Sequence, residues 1–325
     1  MWRDGVRTAL FDCLEIDKDD RVLIIGDRDN EDISRAFWET AKERSRAYLT
    51  FLEDYGGRPL TEFPWALKEY MEFIEPTVTL YIATVKPNEL PLRKGIVETA
   101  MELQARHAHM PGIDKKILDT GLKECKNVVE TTLKVYDVVN RAQEVKVFTE
   151  KGTELNVEVG KYRWIADTGK IEPGSWGNLP GGEVFTTPVK IEGTAVVDGS
   201  LGDYFKKYGK LKKPLVLKIE KSELVDVKSE DQKLAGEFWK YLSSHENGLK
   251  VGEFAIGTNV NIEEVIGNLL QDEKIPGVHI AFGDPLGGKT GAPWKSDVHV
   301  DAVITKTDVM VDGKWLMKGG RFLIK

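Results

Sequence analysis

Residues 277–304 read GVHIAFGDPLGGKTGAPWKSDVHVDAVI. Two apolar runs, 278–282 and 298–305, flank a stretch rich in glycine and proline, which is the pattern of strand, loop and strand. Each run carries one histidine, His279 and His299. Side chains alternate faces along a strand, so His299 and Asp301 share a face while Val298, Val300 and Ala302 share the other. An imidazole and a carboxylate side by side, with a second imidazole one strand away, make a divalent-metal triad geometrically possible. Either histidine alone reads as an ordinary core residue. The chain has 5 histidines in all, and two of them fall on these neighbouring runs beside Asp301, which is what carries the metal reading.

The loop between the runs also spells Gly283-Asp-Pro-Leu-Gly-Gly288-Lys289-Thr290, a match to the phosphate-loop pattern G-x-x-x-x-G-K-[ST]. That motif works through a helix beginning at the lysine, whose N-terminus holds the phosphates. Here Gly291 and Pro293 follow at once and the next run begins near Val298, so no helix is expected. The loop reads as a flexible connection, with Lys289 solvated or near a substrate carboxylate.

Outward from this stretch, the second half of the chain has β texture. Residues 144–148 and 154–159 alternate apolar and polar about Lys151-Gly152, a hairpin pattern. Further strands are expected at 195–197, 215–220 and 254–256. A last hairpin turns at Asp312-Gly313. Helices are expected over 231–242 and 262–271.

The first half reads differently. Apolar runs at 21–25, 47–52 and 78–83 alternate with helical patterns over 33–41, 61–73 and 96–106, which argues for a small doubly wound parallel sheet. The first run is followed by Gly26-Asp-Arg-Asp-Asn30 rather than G-x-G-x-x-G, so no dinucleotide site is expected. Met110-Pro111-Gly112 closes this part, with His107 and His109 expected at a surface or hinge. Residues 113–142 read as a helical connection with a break near Gly121. The expected organisation is an α/β domain over 1–112, that connection, and a β-rich α+β domain over 143–325; the length of 325 residues suits about two domains.

Composition narrows the function classes. A net charge of −7 leaves no broad basic surface for nucleic acid. The apolar runs are too short for a membrane span. Nothing in the first residues reads as a signal peptide, and 2 cysteines, Cys13 and Cys125, lack redox or metal spacing. A reduced, cytoplasmic setting is expected.

Two further acids stand in apolar company. Glu183 lies in Asn178-Leu-Pro-Gly-Gly-Glu-Val-Phe-Thr-Thr-Pro188, and Glu253 in Val251-Gly-Glu-Phe-Ala-Ile-Gly-Thr-Asn259. A carboxylate in an apolar setting is costly unless a cation or metal pairs with it; the alternative is exposure at a strand end. With these segments on the page, the chain resembles the M29 family of metallo-aminopeptidases, the aminopeptidase T and S group. NLPGGEVFTTP, GEFAIGTN, GVHIAFGDPLGG and SDVHVDAVI occur there in this order. The likeness covers the second half well and the first more loosely, through its α/β alternation and His109-Met-Pro-Gly112.

The resemblance implies metal ligands at Glu183, Glu253, His279, His299 and Asp301. It also implies one or two divalent ions (Zn, Co or Mn), a homodimer, and removal of N-terminal amino acids from peptides. Glu183 or Glu253 would serve as the catalytic proton acceptor. The tyrosine that the family places seven residues after the first of these histidines is Leu286 here, so that ligand is missing. Ring-cleaving dioxygenases acting on a dihydroxypyridine resemble the same fold and hold one ferrous iron on two histidines and an aspartate. His279, His299 and Asp301 would serve that role as well, and a member without activity is a further alternative.

Overall fold

The run Val22-Leu-Ile-Ile25 needs apolar cover on both faces and obtains it as an inner strand of a parallel sheet. The computed structural model, which describes residues 2–324, places Arg21–Gly26 between Arg46–Phe51 and Val78–Ile82. Arg106–His109 and Trp176–Asn178 follow outward, every neighbouring pair parallel. Helices Glu31–Ala41, Trp65–Ile74 and Leu90–Glu102 make the crossovers. Asp27 accepts the Asn30 backbone N–H, and Glu31 and Asp32 sit in the first helical turn, where the helix dipole favours negative charge. These elements belong to one unit, Met1–Val129 with Gly169–Gly181.

Two details of this unit depart from the sequence reading. The helix expected over 96–106 runs Leu90–Glu102, and Arg106–His109 is a strand. His107 and His109 are therefore buried rather than at a surface or hinge. Arg-His-Ala-His is too short and polar to announce a strand, and its neighbours supply what apolar patterning does not. Thr79 Oγ1 lies 2.7 Å from His107 Nδ1, and the Tyr81 ring stacks on His109 with centroids 5.1 Å apart. Burial pushes His107 down to about 3 and His109 well below the ordinary imidazole range. Beyond the parallel sheet, the helical stretch comes in two pieces, Lys115–Asp119 and Cys125–Val139, with Gly121 in the break.

The second unit, Glu130–Thr168 with Gly182–Lys325, is antiparallel. An eight-stranded sheet runs in the order Glu223–Lys228, Leu215–Glu220, Lys190–Val197, Glu154–Glu158, Glu144–Phe148, Asp308–Val311, Lys314–Lys318, Arg321–Phe322. A five-stranded sheet runs His299–Thr305, Gly277–Gly283, Val251–Gly257, Glu183–Thr186, Ile165–Asp167. Val145, Val147, Leu155 and Val157 from the first share a core with Phe254, Ile256, Ile280 and Phe282 from the second. Helix Gln232–Ser243 adds Leu234, Phe238 and Leu242 to it.

The helix expected over 262–271 is reduced to Leu269–Asp272. The buried Asp272 carboxylate takes the backbone N–H groups of Ile266 and Gly267 at 2.9 and 2.8 Å, which holds that stretch as a loop. Ile262, Val265 and Ile275 of this loop pack on Val303, covering the face of the small sheet turned away from the shared core. Among the described residues no helix is long and apolar enough to cross a membrane.

Candidate metal centre

Period-two alternation decides what the small sheet shows on its covered face. Val278, Ile280 and Phe282 enter the shared core, so His279 and Ala281 point the other way. Val300, Ala302 and Ile304 enter it too, which leaves His299 and Asp301 on the covered face; Val184 does the same for Glu183, and Phe254 and Ile256 for Glu253. Ladder register then sets the pattern. Ala281 pairs with Glu253 on one side and Asp301 on the other, so a methyl group separates two carboxylates along one cross-strand row. His279 lies two residues from Ala281 along the same strand, Gly277–Gly283.

A bulge between Val251 and Glu253 lets Val251 rejoin the core while Glu253 stays on the site face. Gly252 permits it, because a Cβ there would lie 2.7 Å from the Gly283 and Asp284 carbonyl oxygens.

The structure brings all five sequence-predicted residues together. Glu253 lies between the imidazoles, its Oε1 at 3.3 Å from His279 Nε2 and its Oε2 at 3.4 Å from His299 Nε2. Asp301 Oδ1 is 3.5 Å from His299 Nε2 and 4.0 Å from His279 Nε2, and Glu183 Oε2 is 3.4 Å from His279 Nε2. His299 Nδ1 donates to the Asp284 carbonyl at 2.9 Å, which turns its Nε2 toward the acids. Glu183, Glu253, His279 and Asp301 are buried. The His299 side chain keeps 27% of its exposure and is the most accessible of the five.

Sequence reading missed three members of this cluster. Lys274 is 1% exposed, and its Nζ sits 2.5 Å from Glu183 Oε1, 2.9 Å from Glu273 Oε1 and 3.8 Å from Asp167 Oδ2. In Gln271-Asp-Glu-Lys274 the lysine looks like part of a solvated charge run. The available signal was its place directly before the Ile-Pro-Gly that leads into the His279 strand.

Electrostatics follow from the crowding of acids. Burial works against charge on His279, yet its contact with Glu253 and the charges of Glu183, Glu253 and Asp301 push it up to about 9. Burial likewise opposes charge on His299, and Asp301 and Glu253 carry it up to about 10. Asp301, despite burial, is held down at about 2 by the two imidazoles and Lys274. Burial raises Glu273 to about 8 against the pull of Lys274.

The donor set fits a divalent cation. Two groups, Glu183–Glu253–His279 and Glu253–His299–Asp301, each offer oxygen and nitrogen atoms within 4.8 Å of one another. Among the described residues, Glu253 Oε2 and His279 Nδ1 are buried and find no hydrogen-bond partner. Carboxylate oxygen and imidazole nitrogen together suit zinc, cobalt, manganese or iron.

The phosphate-loop match resolves differently. A single turn of helix, Gly287–Thr290, does form, contrary to the expectation of none; Leu286 starts it in the left-handed conformation at φ 53° and Gly291 ends it at φ 89°. Its four residues are no platform for phosphates, and Thr290 Oγ1 is spent on the Pro285 carbonyl and Thr187 Oγ1, each at 2.9 Å.

Fold and site together define a protein with a parallel α/β unit and an antiparallel unit that carries a buried carboxylate–imidazole centre able to hold metal. Residues 119–322 match the thermophilic metalloprotease (M29) family, and the chain belongs to it. Two solved structures share the fold. The 2,5-dihydroxypyridine dioxygenase from Pseudomonas putida KT2440 has a TM-score of 0.71 at 16% identity, covering 99% of this chain and 96% of that one. Wild-type AmpT from Thermus thermophilus has a TM-score of 0.70 at 18% identity, covering 99% of both chains. No curated protein matches the chain by sequence.

Proposed function

We propose that the protein is a metal-dependent aminopeptidase. The observation that carries this reading is Glu253 set between two imidazoles, with Glu183 and Asp301 beside them on one buried sheet face. The chemistry a divalent ion supplies in such a place is polarisation of a scissile carbonyl and acidification of a water.

The remaining work falls to the chain. Glu253 would hold an ion together with His299 and Asp301, or with Glu183 and His279, and Asp284 orients His299 through its carbonyl. Glu183 or Glu253 would take the proton from the attacking water and return it to the leaving amine. The excess of carboxylates over fixed cations suits the free ammonium at a peptide's N-terminus. The burial of Glu183, Glu253, His279 and Asp301 would keep bulk water from the reacting carbonyl, and substrate would enter past the partly exposed His299.

Family membership supports this reading, and the family resemblance extends it to a homodimer acting on peptides. Light scattering at twice the chain mass would check the dimer. Protein loaded with zinc, cobalt or manganese is expected to release anilide from leucyl and other aminoacyl anilides, and Glu253→Gln to lower kcat at least about 100-fold. No turnover with any of these metals and any aminoacyl group would sink the reading.

A second reading rests on the Leu286 position, which supplies no ligand, and on the fold shared with the dioxygenase. In it His279, His299 and Asp301 would hold one ferrous iron for opening an aromatic diol. Oxygen uptake by anaerobically iron-loaded protein on adding a dihydroxypyridine would support it. Glu183→Gln would leave that uptake intact while crippling the peptidase.

A further inference from the structure

The two candidate metal groups share Glu253 but differ in one respect. Glu183, which belongs only to the first, already carries a cation: the Lys274 ammonium at 2.5 Å from its Oε1. Among the described residues the ion-pair partners of Glu253 and Asp301 are imidazoles, and Lys274 acts on Asp301 only from a distance.

The lysine is built into place. The backbone segment bearing it lies against Gly257, where a Cβ would come within 2.0 Å of the Ile275 carbonyl oxygen and 2.8 Å of the Lys274 carbonyl carbon. Gly257 is the ladder partner of Glu183, so the close approach delivers Lys274 to that carboxylate. The Lys274 carbonyl is tied to the Asn259 N–H at 2.9 Å, and its side chain is closed in by Glu183, Glu273 and Asp167. A buried ammonium held by three carboxylates cannot swing away without giving up all three ion pairs.

The geometry assigns Lys274 as a resident second cation: it neutralises Glu183 and leaves the chain with one tightly held divalent ion, in the Glu253–His299–Asp301 group. This deepens the metal-centre reading and rests on it. A divalent ion in the Glu183–Glu253–His279 group would face the ammonium across a single carboxylate, and like charges so placed repel strongly in a buried site. In the other group an ion meets two carboxylates and an imidazole whose Nε2 is already aimed at them. Lys274 is thus a positioning residue. It fixes Glu183 with one oxygen on the ammonium and the other toward His279, ready to accept a proton or a hydrogen bond.

Metal counting tests this without any activity assay. Protein stripped with chelator, reloaded with manganese and dialysed is analysed for manganese per chain and by electron paramagnetic resonance. The wild type is expected to hold one ion with an uncoupled signal, and Lys274→Met to gain a second ion with an exchange-coupled signal. Glu183→Gln is expected to keep the single tight ion at near wild-type affinity, and Asp301→Asn to weaken it by at least about 100-fold.

Two coupled ions in the wild type would overturn the inference and leave the metal reading standing. No bound ion in the wild type would overturn both. One ion in a folded Lys274→Met, or loss of the tight ion in Glu183→Gln, would also overturn the inference. Should Lys274→Met fail to fold, the wild-type count and Glu183→Gln still decide it.

Discussion

At the scale of the residue, the centre is governed by what neutralises its acids. In the ion-free protein His279 is raised to about 9 and His299 to about 10, both above the ordinary imidazole value near 6.5. A folded-state pKa raised this way contributes stability that is fully present below about 6.5 and is lost as pH climbs through 9 to 10. Asp301, held at about 2, has the opposite sign: its contribution is present above about 4 and lost as pH falls toward 2. Ion-free protein should therefore melt at progressively lower temperature between pH 6.5 and 10. A divalent ion in the Glu253–His299–Asp301 group takes over the role of the His299 proton and adds positive charge beside His279, so metal-loaded protein should lose less across the same window. Calorimetry in chelator and in manganese at several pH values compares the two. Parallel slopes would mean the His299 proton is not what the ion displaces.

At the scale of the element, the site depends on small residues that let backbone and ligands approach. Gly257 sits where a Cβ would meet the Ile275 carbonyl oxygen at 2.0 Å, and backbone on both sides resists moving. Gly257→Ala should destabilise the fold by about 1–3 kcal/mol, as overpacking does. It should also push Lys274 off Glu183. Urea unfolding reads the first effect, and an altered metal count reads the second.

The same scale explains what could be read from the sequence. Strand alternation was enough to put His299 and Asp301 on one face, and two histidines on neighbouring apolar runs were enough to pair them. Glu183 and Glu253 could be placed as ligand candidates only through the family resemblance, because an acid before an apolar run also describes an exposed strand end. Lys274 was hidden because its burial depends on a loop riding over Gly257, a tertiary event without a periodic signature. Arg106–His109 was hidden because its stability comes from Thr79 and Tyr81 on the neighbouring strand and from Trp176–Asn178, far along the chain.

At the scale of the whole molecule, sequence order and structural unit part company. Residues 169–181 lie between strands of the antiparallel unit along the chain, yet belong with the parallel sheet. Metal binding separates the two kinds of neighbourhood. An ion that binds the folded site and not the unfolded chain adds about 2.7 kcal/mol at a hundredfold excess over its Kd. That gain reaches the elements whose opening destroys the site, namely Glu183–Thr186, Val251–Gly257, Gly277–Gly283 and His299–Thr305. Hydrogen exchange with and without manganese should show added protection in those strands. Arg21–Gly26, Val78–Ile82 and Arg106–His109 should stay as they were. The decisive peptide is Trp176–Asn178: it should follow the unprotected parallel sheet, although Glu183 lies only a few residues further on. Protection spread evenly over both units would mean that they open together, and that a metal ion on one sheet face stabilises the entire chain.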